Sequence, residues 1–143
     1  MKEYQTLQKL DRSIQAFRLS GIYKRSQTKL SDADIMVMFC VAFCDTNQRL
    51  KLTDVAKTLR VTLPAVTHKV NDLVDKKYLE KENSTKDLRV TFIRLTNEGK
   101  QFVESIRDAY YQPLKTLVEH LGEEDTKNFM RILDKISAMG KIA

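Results

Sequence analysis

Apolar side chains recur at steps of three and four near the start of the chain. Tyr4, Leu7, Leu10, Ile14 and Phe17 fall on one face of an amphipathic helix over residues 4–17. The pattern carries that helix on toward residue 26, with Gly21 as the one weak point. Ser31 with Asp34 three residues later has the form of a capping box in which Asp takes the usual Glu place. It opens the segment from Ile35 to Cys44, ten apolar residues without interruption, and a helix apolar all round is a core helix. The polar run Asp45, Thr46, Asn47, Gln48 is expected to end it in a turn.

The rhythm then shortens. Thr53 is placed to cap a helix over Asp54–Leu59 whose inward residues are Val55, Ala56 and Leu59. Arg60 and Val61 make a turn, and Thr62 caps a second helix with Pro64 in its first turn, where a missing N–H costs nothing. Val66, Val70, Leu73 and Val74 face inward there. Leu63, Ala65, Thr67, His68, Lys69, Asn71 and Asp72 face outward. Two short helices joined by so tight a turn form a helix-turn-helix. After Lys77 the period changes to two: Tyr78–Glu82 reads as a strand, Val90–Leu95 as its partner, and the polar, basic stretch 83–89 as an exposed hairpin tip. A helix-turn-helix followed by a basic hairpin is a winged helix, so the fold class is mainly α with a small β-hairpin wing.

From Thr96 a long helix is expected through about Leu121, striped by Ile106, Tyr110, Leu114, Leu117 and Leu121 and kinked at Pro113. Gly122 breaks it, and Glu123, Glu124 and Asp125 suit the positive end of a last helix carrying Phe129, Ile132, Leu133 and Ile136. The first and last helices are surplus to a winged helix and too little for a second core. Two copies pooling their terminal helices would cover those apolar faces. The whole chain, 1–143, is thus one domain, with dimerisation helices at 1–30 and 97–143 around a DNA-binding lobe at 31–96. Two-fold symmetry would set the two recognition helices ~34 Å apart, matching a near-palindromic site.

Charge sharpens this picture. The formal net charge is +6, and residues 49–100 hold twelve Lys/Arg against seven Asp/Glu, leaving the rest nearly balanced at thirteen against twelve. The middle third is therefore the candidate surface for a polyanion. The longest apolar run is about half of what spans a membrane, and the first residues have no apolar core of the signal-peptide kind. No membrane partner is expected, and the reducing cytoplasm is the expected compartment. Cys40 and Cys44, four apart among Met36, Met38, Phe39, Val41 and Phe43, read as buried small hydrophobes rather than redox sensors. No Cys/His spacing suits zinc, so no metal or cofactor is expected. No nucleophile elbow, phosphate loop, paired-histidine motif or Gly-rich dinucleotide turn is present, which argues against an enzyme.

The residues Leu52–Thr62, Val66-Thr67 and Leu73–Leu79, with Asp87-Leu88-Arg89 as a D-x-R wing motif and Leu95–Lys100 as L-T-x-x-G, resemble the MarR family of bacterial transcription regulators. The close match covers about residues 50–100. The resemblance implies a homodimeric winged helix-turn-helix regulator, most often a repressor, that a small-molecule effector, metal or oxidant releases from DNA. The family usually has glycine where Lys77 stands, so a slightly different turn is expected there. It also often has Ser or Lys-rich residues in place of Leu63-Pro64-Ala65, which reduces the polar groups at the helix tip.

On this reading the helix 62–77 enters the major groove of double-stranded DNA and the wing 83–90 meets the minor groove. Thr67, His68, Lys69 and Asn71 are the base-contact candidates: Asn suits adenine bidentately, Lys suits guanine or phosphate, and Leu63 or Ala65 can meet a thymine methyl. Thr62 caps the helix and shares its hydroxyl with a phosphate. Arg89 reaches a narrow A·T-rich minor groove, oriented by Asp87 through a charge-assisted pair. Lys86 and Lys81 supply phosphate contacts without sequence information. The competing reading is a winged-helix protein-interaction module with no independent sequence-specific DNA binding.

Overall fold

The computed structural model describes residues 2–24, 28–44 and 49–140. The order of elements is α1 (Lys2–Ser20), α2 (Asp32–Cys44), β1 (Leu50–Lys51), α3 (Leu52–Leu59), α4 (Leu63–Asp75), β2 (Leu79–Asn83), β3 (Thr91–Leu95) and α5 (Asn97–Gly140). They fall into two compact units, one of residues 27–108 and one of residues 1–26 with 109–143. The first unit is a winged helix-turn-helix: three helices, a three-stranded antiparallel sheet in the order β1-β3-β2, and the start of α5.

Its core is assembled from the predicted inward positions. Ile35, Met38 and Val41 of α2, Val55 of α3, Val66, Val70 and Leu73 of α4, and Leu79 of β2 are all essentially inaccessible. Each side chain so buried contributes roughly 1.5–3 kcal/mol. Ser31 caps α2 by accepting the Asp34 N–H at 3.2 Å. Cys40 is buried in this core. The polar turn expected at 45–48 and the side chain of Cys44 lie outside the described residues.

Both helices of the helix-turn-helix end in the same way. After α3, Arg60 turns left-handed at φ 57°, with its N–H donating to Lys57 O (3.2 Å) and that of Val61 to Ala56 O (3.1 Å). After α4, Lys77 does so at φ 67°, with Lys77 N–H donating to Val74 O and Tyr78 N–H to Leu73 O, both at 2.9 Å. These paired bonds are Schellman motifs, which glycine usually closes. Lys77 therefore leaves the turn unchanged, contrary to expectation. Its backbone adopts the left-handed conformation at a cost of about 1–2 kcal/mol, offset by the two carbonyls that the motif satisfies.

Two further expectations need correction. The first helix does not run on toward residue 26: it stops at Ser20, Gly21 takes φ 67°, and Lys24 N–H donates back to Gly21 O at 3.0 Å. Thr53 does not cap α3. Leu50 and Lys51 are held as a short strand against Ile93 and Phe92, so the helix starts at Leu52 and Thr53 lies in its first turn. The Asp54 carboxylate takes the capping role, accepting the Lys51 N–H at 3.0 Å. In α5, Pro113 lies inside the helix, and the expected break at Gly122 is present, at φ 83° and ψ 173°. That region is essentially restricted to glycine, whereas proline's fixed φ is compatible with a helix.

In the second unit, α1 buries none of its described residues, and its stripe of Tyr4, Leu7, Leu10, Ile14 and Phe17 is exposed. Met130, Ile132, Leu133, Ile136 and Met139 near the end of α5 are exposed as well. No helix among the described residues is long and apolar enough to cross a membrane.

Candidate nucleic-acid interface

Helix α4 and the hairpin of β2 and β3 carry the predicted site residues. Thr62 precedes α4, and its Oγ1 accepts the Ala65 N–H at 3.3 Å, which fixes where the helix begins. The hydroxyl proton remains a donor, and the helix end beside it carries a partial positive charge. Leu63 and Ala65 stand exposed in the first turns. Thr67 spends its hydroxyl proton on Leu63 O at 2.9 Å, so it offers the groove a methyl group and acceptor lone pairs, not a donor. His68 points outward, with Nε2 3.6 Å from Asp72 Oδ2 one turn on.

Lys69 stands apart from the others. Its Nζ lies 3.4 Å from Asp34 Oδ1 of α2, and its side chain is only 37% exposed. Asp34 is buried, and its Oδ1 has no hydrogen bond among the described residues, so this contact is an ion pair without hydrogen-bond geometry. Leaving the carboxylate unpaired would be costly, and the ion pair ties α4 to α2. Asn71 differs from expectation too. Its Oδ1 accepts from Lys81 Nζ of β2, so the amide does not present both its acceptor and its donors outward, as a bidentate contact with adenine requires.

The pleat of the sheet explains that contact. Register pairs Leu79 with Leu95, Lys81 with Ile93 and Asn83 with Thr91, while Glu80 pairs with Arg94 and Glu82 with Phe92. Alternate residues point to opposite faces, and Leu79 and Ile93 are buried. Lys81 is thus on their face, the one that α4 packs against. The other face carries an ion-pair ladder: Arg94 Nε donates to Glu80 Oε2 at 2.8 Å, and Arg49 sits 3.8 Å from Glu82 and 5.3 Å from the centre of the Phe92 ring. Glu80 raises the Arg94 pKa further through that hydrogen bond.

The wing tip is built from local hydrogen bonds. Ser84 Oγ accepts the N–H groups of Lys86 and Asp87 at 3.2 Å, Val90 N–H donates to Asp87 O at 3.0 Å, and Ser84 N–H donates to Val90 O at 2.9 Å. Asp87 Oδ1 then accepts both the backbone N–H (3.0 Å) and Nε (3.2 Å) of Arg89. The backbone bond first, and the guanidinium second, hold the Asp87 carboxyl below its usual range. Arg89 Nη2 also donates to Asp87 Oδ2 at 3.5 Å, so the acid holds one edge of the 91% exposed guanidinium and leaves Nη1 available. Lys86 and Leu88 are exposed beside it.

Two residues outside the candidate set hold the wing to the helices. Thr96 Oγ1 donates to Lys77 O (2.6 Å), lies 3.2 Å from Tyr78 O, and accepts the Gly99 N–H at 3.0 Å. Gly99 packs so closely on Tyr78 O that a Cβ there would overlap it. These contacts explain the L-T-x-x-G pattern physically: threonine clamps the turn after α4, and glycine permits the approach. Lys81, expected only as a phosphate contact, also meets Asn71, and its parity with buried Leu79 was the available signal for that.

Comparison with known proteins agrees with this architecture. The AdcR transcriptional regulator of Streptococcus pyogenes is 29% identical over 114 residues, 80% of this chain and 67% of that one. The chain spans 62% to 67% of the length of the first curated relatives it matches. The MepR–DNA complex of S. aureus superposes with a TM-score of 0.66 at 23% identity, over 97% of this chain and 93% of that one. The PcaV regulator from Streptomyces coelicolor, in complex with its natural ligand, gives 0.70 at 15% identity, over 90% and 89%. The family model described as transcriptional regulator SarA/Rot matches residues 20–106, which include the whole helix-turn-helix and wing. The chain belongs to this SarA/Rot family of transcriptional regulators, and its fold is the winged helix of MarR type.

Proposed function

We propose that the protein is a cytoplasmic, non-enzymatic DNA-binding repressor that acts as a homodimer on a near-palindromic operator. One observation carries the reading: Arg89 stands almost fully exposed on a hydrogen-bonded wing and is oriented by Asp87 without being consumed by it. A guanidinium so held suits the narrow, electronegative minor groove. Residues 62–77 supply the major-groove element, with Thr62, Leu63, Ala65, Thr67, His68 and Asn71 as contacts, Lys69 as the tie to α2, and Lys86 on phosphate. The excess of basic residues in 49–100 and the likeness to a MepR–DNA complex support this assignment.

Residues 1–30 and 97–143 form the dimer interface, supported by the exposed apolar stripes of α1 and the end of α5. A small-molecule effector releases the dimer from DNA, a reading supported by the likeness to ligand-bound PcaV. Hydroxyl-radical footprinting on a DNA site enriched from random sequence tests the arrangement. Two protected patches about one helical turn apart, ~34 Å, are expected. A single patch would contradict the dimer, and the absence of protection would contradict the function.

A further inference from the structure

We propose that Lys81 sets the polarity of the Asn71 amide, so that this position of α4 reads a hydrogen-bond acceptor, guanine, where an unconstrained asparagine would read adenine. The inference rests on the DNA-binding reading above and adds a residue from outside the recognition helix to its specificity. An asparagine amide has one acceptor oxygen and one donor nitrogen, and either can in principle face a ligand. The choice is made here by chemistry: an ammonium group has donors only, so the oxygen must be the atom that faces Lys81, as it does. The amide nitrogen, with two donors, is left for the groove.

Strand register makes the contact a built feature. Lys81 lies two residues after buried Leu79 and opposite buried Ile93, on the face of the sheet that α4 covers. The Glu80 and Glu82 carboxylates are on the opposite face, where Arg94 and Arg49 occupy them, and do not compete for the ammonium. In the major groove guanine presents two acceptors, N7 and O6. Adenine presents N7 beside the N6 amino group, itself a donor. A donor-only amide matches the first and meets the second donor against donor. The remaining N–H groups of Lys81 can serve a phosphate, so one side chain would orient the reader and anchor the backbone.

The test is selection of binding sites from random duplexes by the full-length protein and by Asn71→Ala, Lys81→Met, Lys81→Ala and Lys81→Arg, with thermal melts confirming that each folds. The position read by Asn71 is the one whose preference collapses in Asn71→Ala. Guanine is expected there over adenine by about tenfold in the wild type, a ratio within the range of one good base contact. Lys81→Met and Lys81→Ala should abolish or invert that ratio, whereas Lys81→Arg, still donor-only, should keep it. Overall affinity lost equally for all sequences would reflect the phosphate contact alone and overturn the assignment. So would adenine at that position in the wild type, an unchanged ratio in the neutral variants, or no position that responds to Asn71→Ala. Failure of every protein to enrich any sequence would remove the DNA-binding reading itself, and this inference with it.

Discussion

Arg89→Ala is expected to weaken operator binding by about 10- to 100-fold while leaving the thermal melt unchanged. The side chain is tethered only at Asp87 and is 91% exposed, so its removal takes little from the fold. What it removes is a charge-assisted contact, worth ~1.5–3 kcal/mol where its partner is also charged, which corresponds to that range of affinity. Asp87→Asn should cost less, a few-fold, because the charge stays and only its orientation is relaxed. The two variants separate in their salt dependence, read by fluorescence anisotropy. Arg89→Ala should lower the salt slope by about one, whereas Asp87→Asn should leave it near the wild-type value. Acid should reproduce the effect of Asp87→Asn. Arg89 depresses the Asp87 pKa in the folded wing. The stabilisation from their pairing is therefore complete above the ordinary carboxylate pKa and is lost only as pH falls through the lowered one. The clamp should be intact at neutral pH.

Gly99→Ala is expected to destabilise the protein by about 3 kcal/mol, at the upper end of ordinary overpacking, and to lower Tm by roughly 6–12 °C for a chain of this size. The added methyl group would overlap the Tyr78 carbonyl oxygen and lie 3.2 Å from Leu95 Cδ2. Backbone cannot move aside as a flexible side chain does. The same oxygen accepts the Thr96 N–H at 3.1 Å and lies against Thr96 Oγ1, so any shift also loosens the clamp between α4, the wing and α5. Gly140→Ala is the control. That glycine is helical with nothing near it, so alanine there should be neutral or slightly stabilising. Differential scanning calorimetry of the two variants checks both expectations. DNA affinity should follow stability in Gly99→Ala, since the clamp sets the wing against the recognition helix.

Local signals account for what the sequence revealed. Thr62, Pro64 and the spacing of Val66, Val70 and Leu73 sufficed to locate α4 because cap, first turn and inward stripe agree. The D-x-R motif likewise implied its own ion pair, since residues two apart in a tight turn meet without help from elsewhere. Sequence reading fell short where partners are distant in the chain. Lys69 read as a base contact, with nothing nearby in the sequence to show that α2 brings the buried carboxylate of Asp34 to it. Asn71 looked bidentate until β2 placed Lys81 on its oxygen. Strand β1 is two residues long and exists only because β3 pairs with it, and that pairing is what displaced the cap from Thr53. The break at Gly122 was legible, because it needs torsions that no other residue accepts readily. Lys77 shows the reverse: a motif with two good hydrogen bonds holds a lysine left-handed in a glycine's place.

The most direct test of the central claim is anisotropy of the full-length protein on a duplex enriched from random DNA and on its scrambled counterpart, from ~50 to ~200 mM salt. The account predicts binding to the enriched duplex at least ~10³-fold tighter than to the scrambled one near physiological salt, with log affinity falling linearly as log salt rises. Equal affinity for the two duplexes, or affinity indifferent to salt, would contradict it and point instead to a winged helix whose partner is a protein.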